Sequence, residues 1–356
     1  MPRPLRAHIH LAALRHNLAR VRRAAPKARV LAVIKANGYG HGMLDVARAL
    51  QDADGFAVLE IEEAKLLRAV GFRQDIVLLE GPFNGADLAG AERYRLSIVV
   101  HAREQLDMIE SATRASKIDV FLKLNSGMNR LGFAPGYLRP ALARLAACPN
   151  VGCITLMTHF ANADVCAGVA SQMACFQTLT EGLALPTSLA NSAAVLRYPE
   201  THGDWIRPGL MLYGGSPFAD TDSAALELRP AMTLQSEIIG LQQLQPGQRV
   251  GYGGCFEAVE AMRVAVVACG YGDGYPRHAP TGTPVRVEGQ PSRLLGTVSM
   301  DMLCVDITHL PQAGVGSTVT LWGEGLPVEE VARCARTVNY ELLCGLTQRV
   351  RLAASD

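Results

Sequence analysis

The chain has no run of 18 apolar residues, which argues against a membrane-spanning helix, and its first ten residues, MPRPLRAHIH, lack the apolar stretch of a secretory signal. It is therefore expected to be cytoplasmic. There is no surplus of charge either: a formal net charge of +1 gives no global attraction to nucleic acid. The basic cluster Arg20, Arg22 and Arg23 reads as the solvated face of a short helix. Among nine cysteines there is no CxxC pair; Cys148 and Cys153, in ACPNVGC, are spaced for neither a zinc ribbon nor a redox motif. Most others, such as Cys269 in VVAC and Cys304 in MLCVD, lie inside apolar runs and are expected to be reduced core residues, so no metal is assigned. Repeats and low-complexity segments are also missing.

What is present suits a large core. With 356 residues, 49% hydrophobic and 19% charged, the chain can form two domains, or a barrel with an appendage. The stretch from His10 to Arg23 carries Leu11, Leu14, Leu18 and Val21 on one helical face. Short apolar runs follow at 29–35, 54–59, 76–80, 96–100, 118–124, 152–159, 187–191 and 205–212, with helical patterns between them. Eight strands alternating with helices over about 215 residues have the rhythm of a (β/α)8 TIM-type barrel. An open doubly wound sheet is the rival, because alternation does not demonstrate closure. Beyond Ser216-Pro217 the strand-like runs are 236–242, 263–269, 284–288, 293–298, 303–307 and 317–322, with one helical pattern at 328–337. The expected fold is thus α/β: a barrel over residues 1–225, then a mainly β domain over 226–356.

The densest chemistry lies in VLAVIKANGYGHG at 30–42. A buried strand has no room for an ammonium except at its end, where desolvation can turn a lysine into an amine nucleophile or base. Lys35 stands at such an end, although a lone strand-end lysine often just snorkels to solvent. The turn after it, with Gly38, Gly40 and Gly42 around Tyr39 and His41, allows close backbone approach to a ligand. Functional side chains of a barrel come from the carboxyl ends of its strands. Those ends carry Lys35, Arg130 after the fifth strand, His159 ending the sixth, Asn191 and Ser192 ending the seventh, and Arg207 within the eighth. Beyond strands seven and eight, the Ser192 hydroxyl, the N–H groups of Gly209 and Leu210 and the Tyr39 phenol supply enough donors for a phosphate dianion.

VIKANGYGHG resembles the pyridoxal-phosphate lysine motif of the alanine racemases. KLNSGMNRLGF (123–133), MTHFANAD (157–164), ANSAA (190–194), WIRPGLMLYG (205–214), VGYGGCF (250–256), GYGDGYPR (270–277) and GTVSMDM (296–302) resemble further motifs of that family, in order and spacing, over nearly the whole chain. The resemblance implies that Lys35 holds the aldehyde of pyridoxal 5'-phosphate, that Arg207 contacts the pyridine nitrogen with support from His159, and that Arg130 grips the substrate carboxylate. It implies two bases, Lys35 on one face and Tyr252 on the other. A phenol in its ordinary ionisation range, near pH 10, is a poor base at neutral pH, so Arg207 and His159 would have to favour the phenolate. Without the flanking motifs, Tyr252 would read as an ordinary turn tyrosine. The resemblance further implies a homodimer with shared sites, in which Met300 and Asp301 close the partner's substrate site and Tyr271 lines its entrance. Lys123, seven residues before Arg130, would be carbamylated; an outward, solvated lysine is the alternative.

Two positions depart from the family pattern. In CGLTQRVRL (344–352), Gln348 stands where a tyrosine is common and Arg351 where a proline is common, which bears on strictness for alanine over serine. Asn125 stands where aspartate is common and carries no evident functional consequence. A non-catalytic pyridoxal-phosphate carrier would lack the β domain that holds Tyr252. A barrel decarboxylase of basic amino acids would carry a glutamate toward the pyridine nitrogen, against Arg207, and a late catalytic cysteine, for which Cys344 is a candidate. Supply of D-alanine for peptidoglycan and catabolism of L-alanine are both compatible with the sequence.

Overall fold

The structure, a computed structural model, describes residues 3–113 and 115–356. It forms two compact units. One comprises the chain up to His16, Tyr39–Asp45 and Tyr213–Asp356; the other comprises Asn17–Gly38 and Val46–Leu212.

Strand β1 (Arg6–His10) belongs to the first unit, and β2 (Arg29–Val33), β3 (Gly55–Val58), β4 (Asp75–Leu78), β5 (Ser97–Val100), β6 (Ile118–Lys123), β7 (Val151–Met157), β8 (Thr187–Ser188) and β9 (Trp205–Ile206) to the second. Strands β2 to β9 close into a parallel barrel in chain order. The closing seam pairs Arg29 with Trp205 and Val30 with Ile206, which excludes the open sheet. Parallel strands flanked by helices are buried on both sides and so read as continuous apolar runs. Val30, Leu31, Ala32, Phe56, Ala57, Val58, Ile98 and Val99 are all fully buried. The first helix, Leu11–Ala24, buries Leu14, Leu18 and Val21, while Arg22 on its open side pairs with Asp54 at 3.1 Å.

The β unit continues with β10 (Met232–Leu244), β11 (Arg249–Val250), β12 (Phe256–Glu257), β13 (Met262–Val267), β14 (Pro284–Val287), β15 (Gln290–Leu295), β16 (Leu303–Asp306), β17 (Thr318–Trp322) and β18 (Arg351–Ser355). Its main sheet runs β13-β16-β15-β14-β17-β10-β1-β18. The 13 residues of β10 pair with β1 and β17 through the first half and with β13 through the second, across an irregularity between Ile238 and Gly240.

Some sequence expectations shift. A split at 225/226 would assign β1 to the barrel, yet β1 pairs antiparallel with β10 and parallel with β18, burying Ala7 and Ile9 in the β sheet. Five residues with two buried positions are too short a period to separate from the helix that follows. The runs at 187–191 and 205–212 yield strands of only two residues, because the chain leaves the barrel for the N-cap at Asn191 and for a 3-10 turn at Leu210–Tyr213. The cysteines are less buried than expected: Cys148 and Cys269 are buried, but Cys153, Cys166, Cys255 and Cys344 are exposed. Each exposed one occupies a loop or an outward position that a local apolar run does not reveal.

After β2 the backbone turns left-handed. Ala36, Asn37, Gly38 and Tyr39 have φ of 53°, 54°, 62° and 49°, and the Gly38 N–H closes the turn on the Ile34 carbonyl at 2.9 Å. Non-glycine residues hold this conformation at a cost of roughly 1–2 kcal/mol each, which the surrounding structure must offset. The next residue, Gly40, has φ +78°, and a Cβ there would lie 2.1 Å from the Leu343 carbonyl oxygen. Gly40→Ala is therefore expected to destabilise the protein by roughly 2 kcal/mol or more. Gly85→Ala, where a Cβ meets open space, should leave the thermal midpoint nearly unchanged. Thermal unfolding of the two variants beside the parent checks the contrast; equal midpoints would show that the turn is not constrained.

Candidate functional site

The carboxyl ends of the barrel strands bring cationic side chains together. Lys35 follows β2 and is half-buried; Lys123 ends β6 and is buried; Arg207 follows β9 and is buried. Arg130 is exposed, on the loop after β6. A small cleft there is lined by Lys123, Met128, Arg130, Thr158 and His159, among others.

Arg207 is held without a carboxylate. Its Nη1 donates to the Ser188 carbonyl and to Ser188 Oγ, both at 2.7 Å, and its Nη2 to the Thr158 carbonyl at 2.7 Å and the Leu189 carbonyl at 3.3 Å. Nη2 also lies 3.4 Å from His159 Nδ1. Because a guanidinium only donates, Nδ1 accepts and the imidazole proton sits on Nε2. Among the described residues, the Arg207 Nε–H has no partner. Burial lowers the Arg207 pKa to about 10, still well above neutrality.

The crowding of positive charge shows in its neighbours. His159 is pushed down to about 3, by burial first and then by Arg207, Lys123, Arg130 and Lys35. Lys123 is lowered to about 8, again by burial first, then by Arg207 and Arg130, with the Glu80 carboxylate acting in the opposite sense. Its burial rules out the outward, solvated alternative.

Asn191 and Ser192 do not end a strand. Asn191 is the N-cap of the helix Ser192–Arg197, its side chain accepting from the Ala194 N–H at 3.1 Å. The Ser192 hydroxyl accepts the N–H groups of Gly209 (3.0 Å) and Met211 (3.3 Å), which leaves its own proton to donate; Leu210 opens the buried turn between them. Arg207 lies just past β9 rather than within it.

Sequence reasoning passed over the groups that hold these residues. Gln172 donates to the His159 carbonyl at 3.1 Å and to Ser126 Oγ at 3.2 Å, and Ser126 Oγ lies 2.7 Å from Thr158 Oγ1. Ser188 could have been flagged as a polar residue in an apolar run. Asn125 does serve the structure, for its Oδ1 accepts from the N–H of Gly127 (3.1 Å) and of Asn129 (3.0 Å) and so fixes the loop that leads to Arg130.

In the β unit, Tyr39 is buried and stacked on Tyr213 with ring centroids 4.7 Å apart; Tyr340 is tilted against it at 5.9 Å. Burial, then Tyr340 and Cys344, raise the Tyr39 pKa far above the usual phenol range, so it is a neutral donor. Tyr252 sits on the turn between β11 and β12 and is 70% exposed. Val250, Ala258, Met262, Val264 and Leu295 form the core beneath that turn, and Arg249 pairs with Glu257 across its base at 2.8 Å. Tyr271 and Met300 are exposed on neighbouring loops, joined by hydrogen bonds from the Tyr271 N–H to the Ser299 carbonyl (3.0 Å) and from the Gly272 N–H to the Met300 carbonyl (2.8 Å). Gln348 is exposed.

A strand-end lysine, a buried guanidinium with a donor to spare, and a serine hydroxyl fixed by two amides stand at the carboxyl ends of a parallel barrel, where barrel enzymes carry their sites. The family model for the alanine racemase N-terminal domain matches residues 9–217, and that for the C-terminal domain matches 231–354. The chain belongs to the alanine racemase family, isomerases of L- and D-alanine that depend on pyridoxal 5'-phosphate. It is 57% identical to the alanine racemase of Nitrosospira multiformis over 99% of both chains. Among solved structures, it is similar to the biosynthetic alanine racemase of Pseudomonas aeruginosa, with a TM-score of 0.97 and 48% identity over 99% of this chain and 100% of that one. It is also similar to the alanine racemase of Acinetobacter baumannii, with a TM-score of 0.94 and 38% identity over the same shares.

His159, with a pKa about 3, should stay neutral where an ordinary imidazole titrates, near pH 6.5. Its folded pKa lies below the unfolded one, so the unfolded chain takes the proton first as pH falls. The residue thus removes stability between about pH 6.5 and about 3 and costs nothing above that window. NMR of the labelled ring nitrogens should show no titration near neutrality; a midpoint close to 6.5 would mean that the site does not exclude charge from this ring.

Proposed function

We propose that this chain interconverts L- and D-alanine with two bases, Lys35 on one face of the substrate and Tyr252 of the partner subunit on the other, in a cytoplasmic homodimer. The observation that carries the proposal is the cationic barrel end, where Lys123, Arg130 and His159 line one cleft, Arg207 lies 3.4 Å from His159, and Lys35 follows β2. A carboxylate substrate and a phosphorylated cofactor would neutralise that set.

Pyridoxal phosphate, when bound, supplies the electron-withdrawing ring that makes an α-proton removable. Lys35 would hold its aldehyde until substrate arrives. The Ser192 hydroxyl, the Gly209–Leu210 turn, Asn191 and the Tyr39 phenol would surround its phosphate, and the open Arg207 Nε–H would face its ring nitrogen. With a pKa about 10, Arg207 offers a hydrogen bond there without surrendering a proton at neutral pH. His159 orients Arg207 by accepting from it and, being neutral, adds no positive charge. Of the two groups expected to favour a phenolate at Tyr252, Arg207 is therefore the one that remains. Arg130 would bind the substrate carboxylate through its planar fork. Once released, Lys35 takes or returns the α-proton on its face, and Tyr252 does so on the other. Met300 and Asp301 would close the site from the partner, with Tyr271 at its entrance. D-alanine supply for peptidoglycan and catabolism of L-alanine both follow from the same chemistry.

The shared site is tested by mixing subunits of Lys35→Ala and Tyr252→Phe, each nearly inactive alone. A heterodimer then has one site with both lesions and one with neither, so activity should return on co-refolding. Mixed dimers as inactive as the parents would mean that each chain supplies its own tyrosine.

Carbamylation of Lys123 is proposed on its burial among guanidinium groups and a pKa about 8, which leaves a fraction of neutral amine to add carbon dioxide at neutral pH. The resulting anion would replace repulsion with attraction toward Arg130 and Arg207. With ¹³C-bicarbonate, a carbamate carbon resonance should appear in the parent and vanish in Lys123→Arg. A parent spectrum without it would set the modification aside.

Gln348 leads us to propose minor serine racemisation. A small pocket rejects an added hydroxyl by only about 100-fold even when it is apolar. Gln348→Tyr should raise the alanine-to-serine ratio of kcat/KM; an unchanged ratio would show that position 348 does not set it.

A further inference from the structure

The loops that carry Tyr271 and Met300 are tied together by charge. Asp273, only 1% exposed, accepts from Arg3 Nη2 at 2.9 Å and from the Gly270 N–H at 2.9 Å through Oδ2, and lies 3.1 Å from Arg349 Nε through Oδ1. Both arginines continue to Asp301. Arg349 Nη2 meets its Oδ1 at 2.6 Å, Arg3 Nη1 stands 3.8 Å from the same oxygen, and Arg3 Nη2 also donates to the Asp301 carbonyl. The space between the loops is filled as well: a Cβ on Gly272 would lie 2.5 Å from Arg349 Nη1 and 3.0 Å from the Met300 carbonyl oxygen.

A buried carboxylate thus anchors two guanidinium groups, one from each end of the chain, and both grip the segment Met300–Asp301. Burying a carboxylate is costly unless it is paired; Oδ2 is hydrogen-bonded, while Oδ1 makes no hydrogen bond among the described residues and is compensated by the ion pair with Arg349, so Asp273 depends on both arginines. The Asp301 side chain is already committed to Arg349. Its contribution to the site is then the placement of its own backbone and that of Met300.

We propose that Arg349 and Arg3 are positioning residues for the racemisation: through Asp273 and Asp301 they fix Met300–Asp301 in the conformation in which that segment meets substrate. This rests on the reading of Met300–Asp301 as the closing segment of the substrate site. It also gives Arg349 a role distinct from that of its neighbour Gln348, namely holding the loop rather than discriminating the side chain.

The test compares Arg349→Met, Arg349→Lys and Arg3→Met with the parent as holoenzymes. Hydrogen exchange reports the Tyr271 and Gly272 amides that bond the Ser299 and Met300 carbonyls. In the Met variants their exchange should quicken locally and KM for alanine should rise roughly 10-fold or more, with kcat less affected, as expected when a group outside the chemistry misplaces a substrate contact. Bound-cofactor absorbance should be unchanged, and Arg349→Lys should recover part of the loss. Unchanged exchange and KM would overturn the proposal, and so would faster exchange throughout the chain with cofactor release, since that marks a merely structural role. Should Arg349→Met not fold, Arg3→Met removes contacts to the same two carboxylates and decides alone. A parent enzyme that does not racemise alanine would instead refute the functional reading, while the exchange data would still show whether the arginines hold the loop.

Discussion

A guanidinium buried in the end of a barrel and held by carbonyl oxygens governs the chemistry around it. Carbonyl dipoles occupy both Nη groups of Arg207 without cancelling its charge, leaving Nε–H open, and the charge is felt at His159 and Lys123. Burial first, and then this charge, keep His159 neutral, and its Nδ1 accepts from Arg207. Lys123 titrates lower partly because of it. An acidic partner for Arg207 would remove its share of both shifts, leaving the larger part that burial causes. Among the described residues no carboxylate pairs with Arg207, so this barrel end keeps a positive charge of the kind that the proposed phosphorylated cofactor and carboxylate substrate would neutralise.

The left-handed turn after β2 is the second constraint. It lies immediately after the one lysine that the strand delivers to the barrel end, and non-glycine residues at Ala36, Asn37 and Tyr39 hold it against their own preference. Strain of this kind persists only where packing over-determines the conformation. Here Tyr39 stacks on Tyr213, and the backbone at Gly40 presses against Leu343. The turn thus lifts the lysine clear of a continuing strand while burying the tyrosine four residues later.

Much of the fold was legible because its signals are local. Fully buried parallel strands are short apolar runs, and eight of them between helices announce a barrel; only the β2–β9 pairing, which joins residues far apart in sequence, had to be seen. The placement of β1 was illegible for the same reason, since its partners begin at residue 232 and at residue 351. At the site, Lys35, Arg207 and His159 could be named from strand ends, because strand direction dictates where side chains emerge. Asp273, Arg3 and Arg349 could not, because an ion pair between chain ends leaves no periodicity. The left-handed turn was half legible: Gly38 and Gly40 signalled an unusual backbone and Asn37 tolerates it, but nothing in Ala36 marks positive φ. Sequence also placed Cys269 correctly in the core and Cys304 beside it, but did not foresee the exposure of Cys153, Cys166, Cys255 and Cys344, since an apolar run does not say which of its faces is turned outward.

Tyr252 shows where a single chain stops being informative. Its turn is well founded, on the core around Val250 and Leu295 and on the Arg249–Glu257 pair, yet the phenol itself is 70% exposed. A rigid base under an exposed side chain is an arrangement suited to a contact made elsewhere. A phenol that exchanges protons with carbon must be held against substrate and shielded from bulk water, because water would otherwise compete for the same proton. Neither condition is met by a side chain open to solvent. A second copy of the chain would supply them together: its barrel end would offer the carboxylate-seeking cations, and this unit would offer Tyr252, Tyr271 and Met300 on loops already fixed. If the site is shared as proposed, the exposure of Tyr252, Tyr271 and Met300 and the positive charge at the barrel end would be two halves of one requirement, each completed by the other chain.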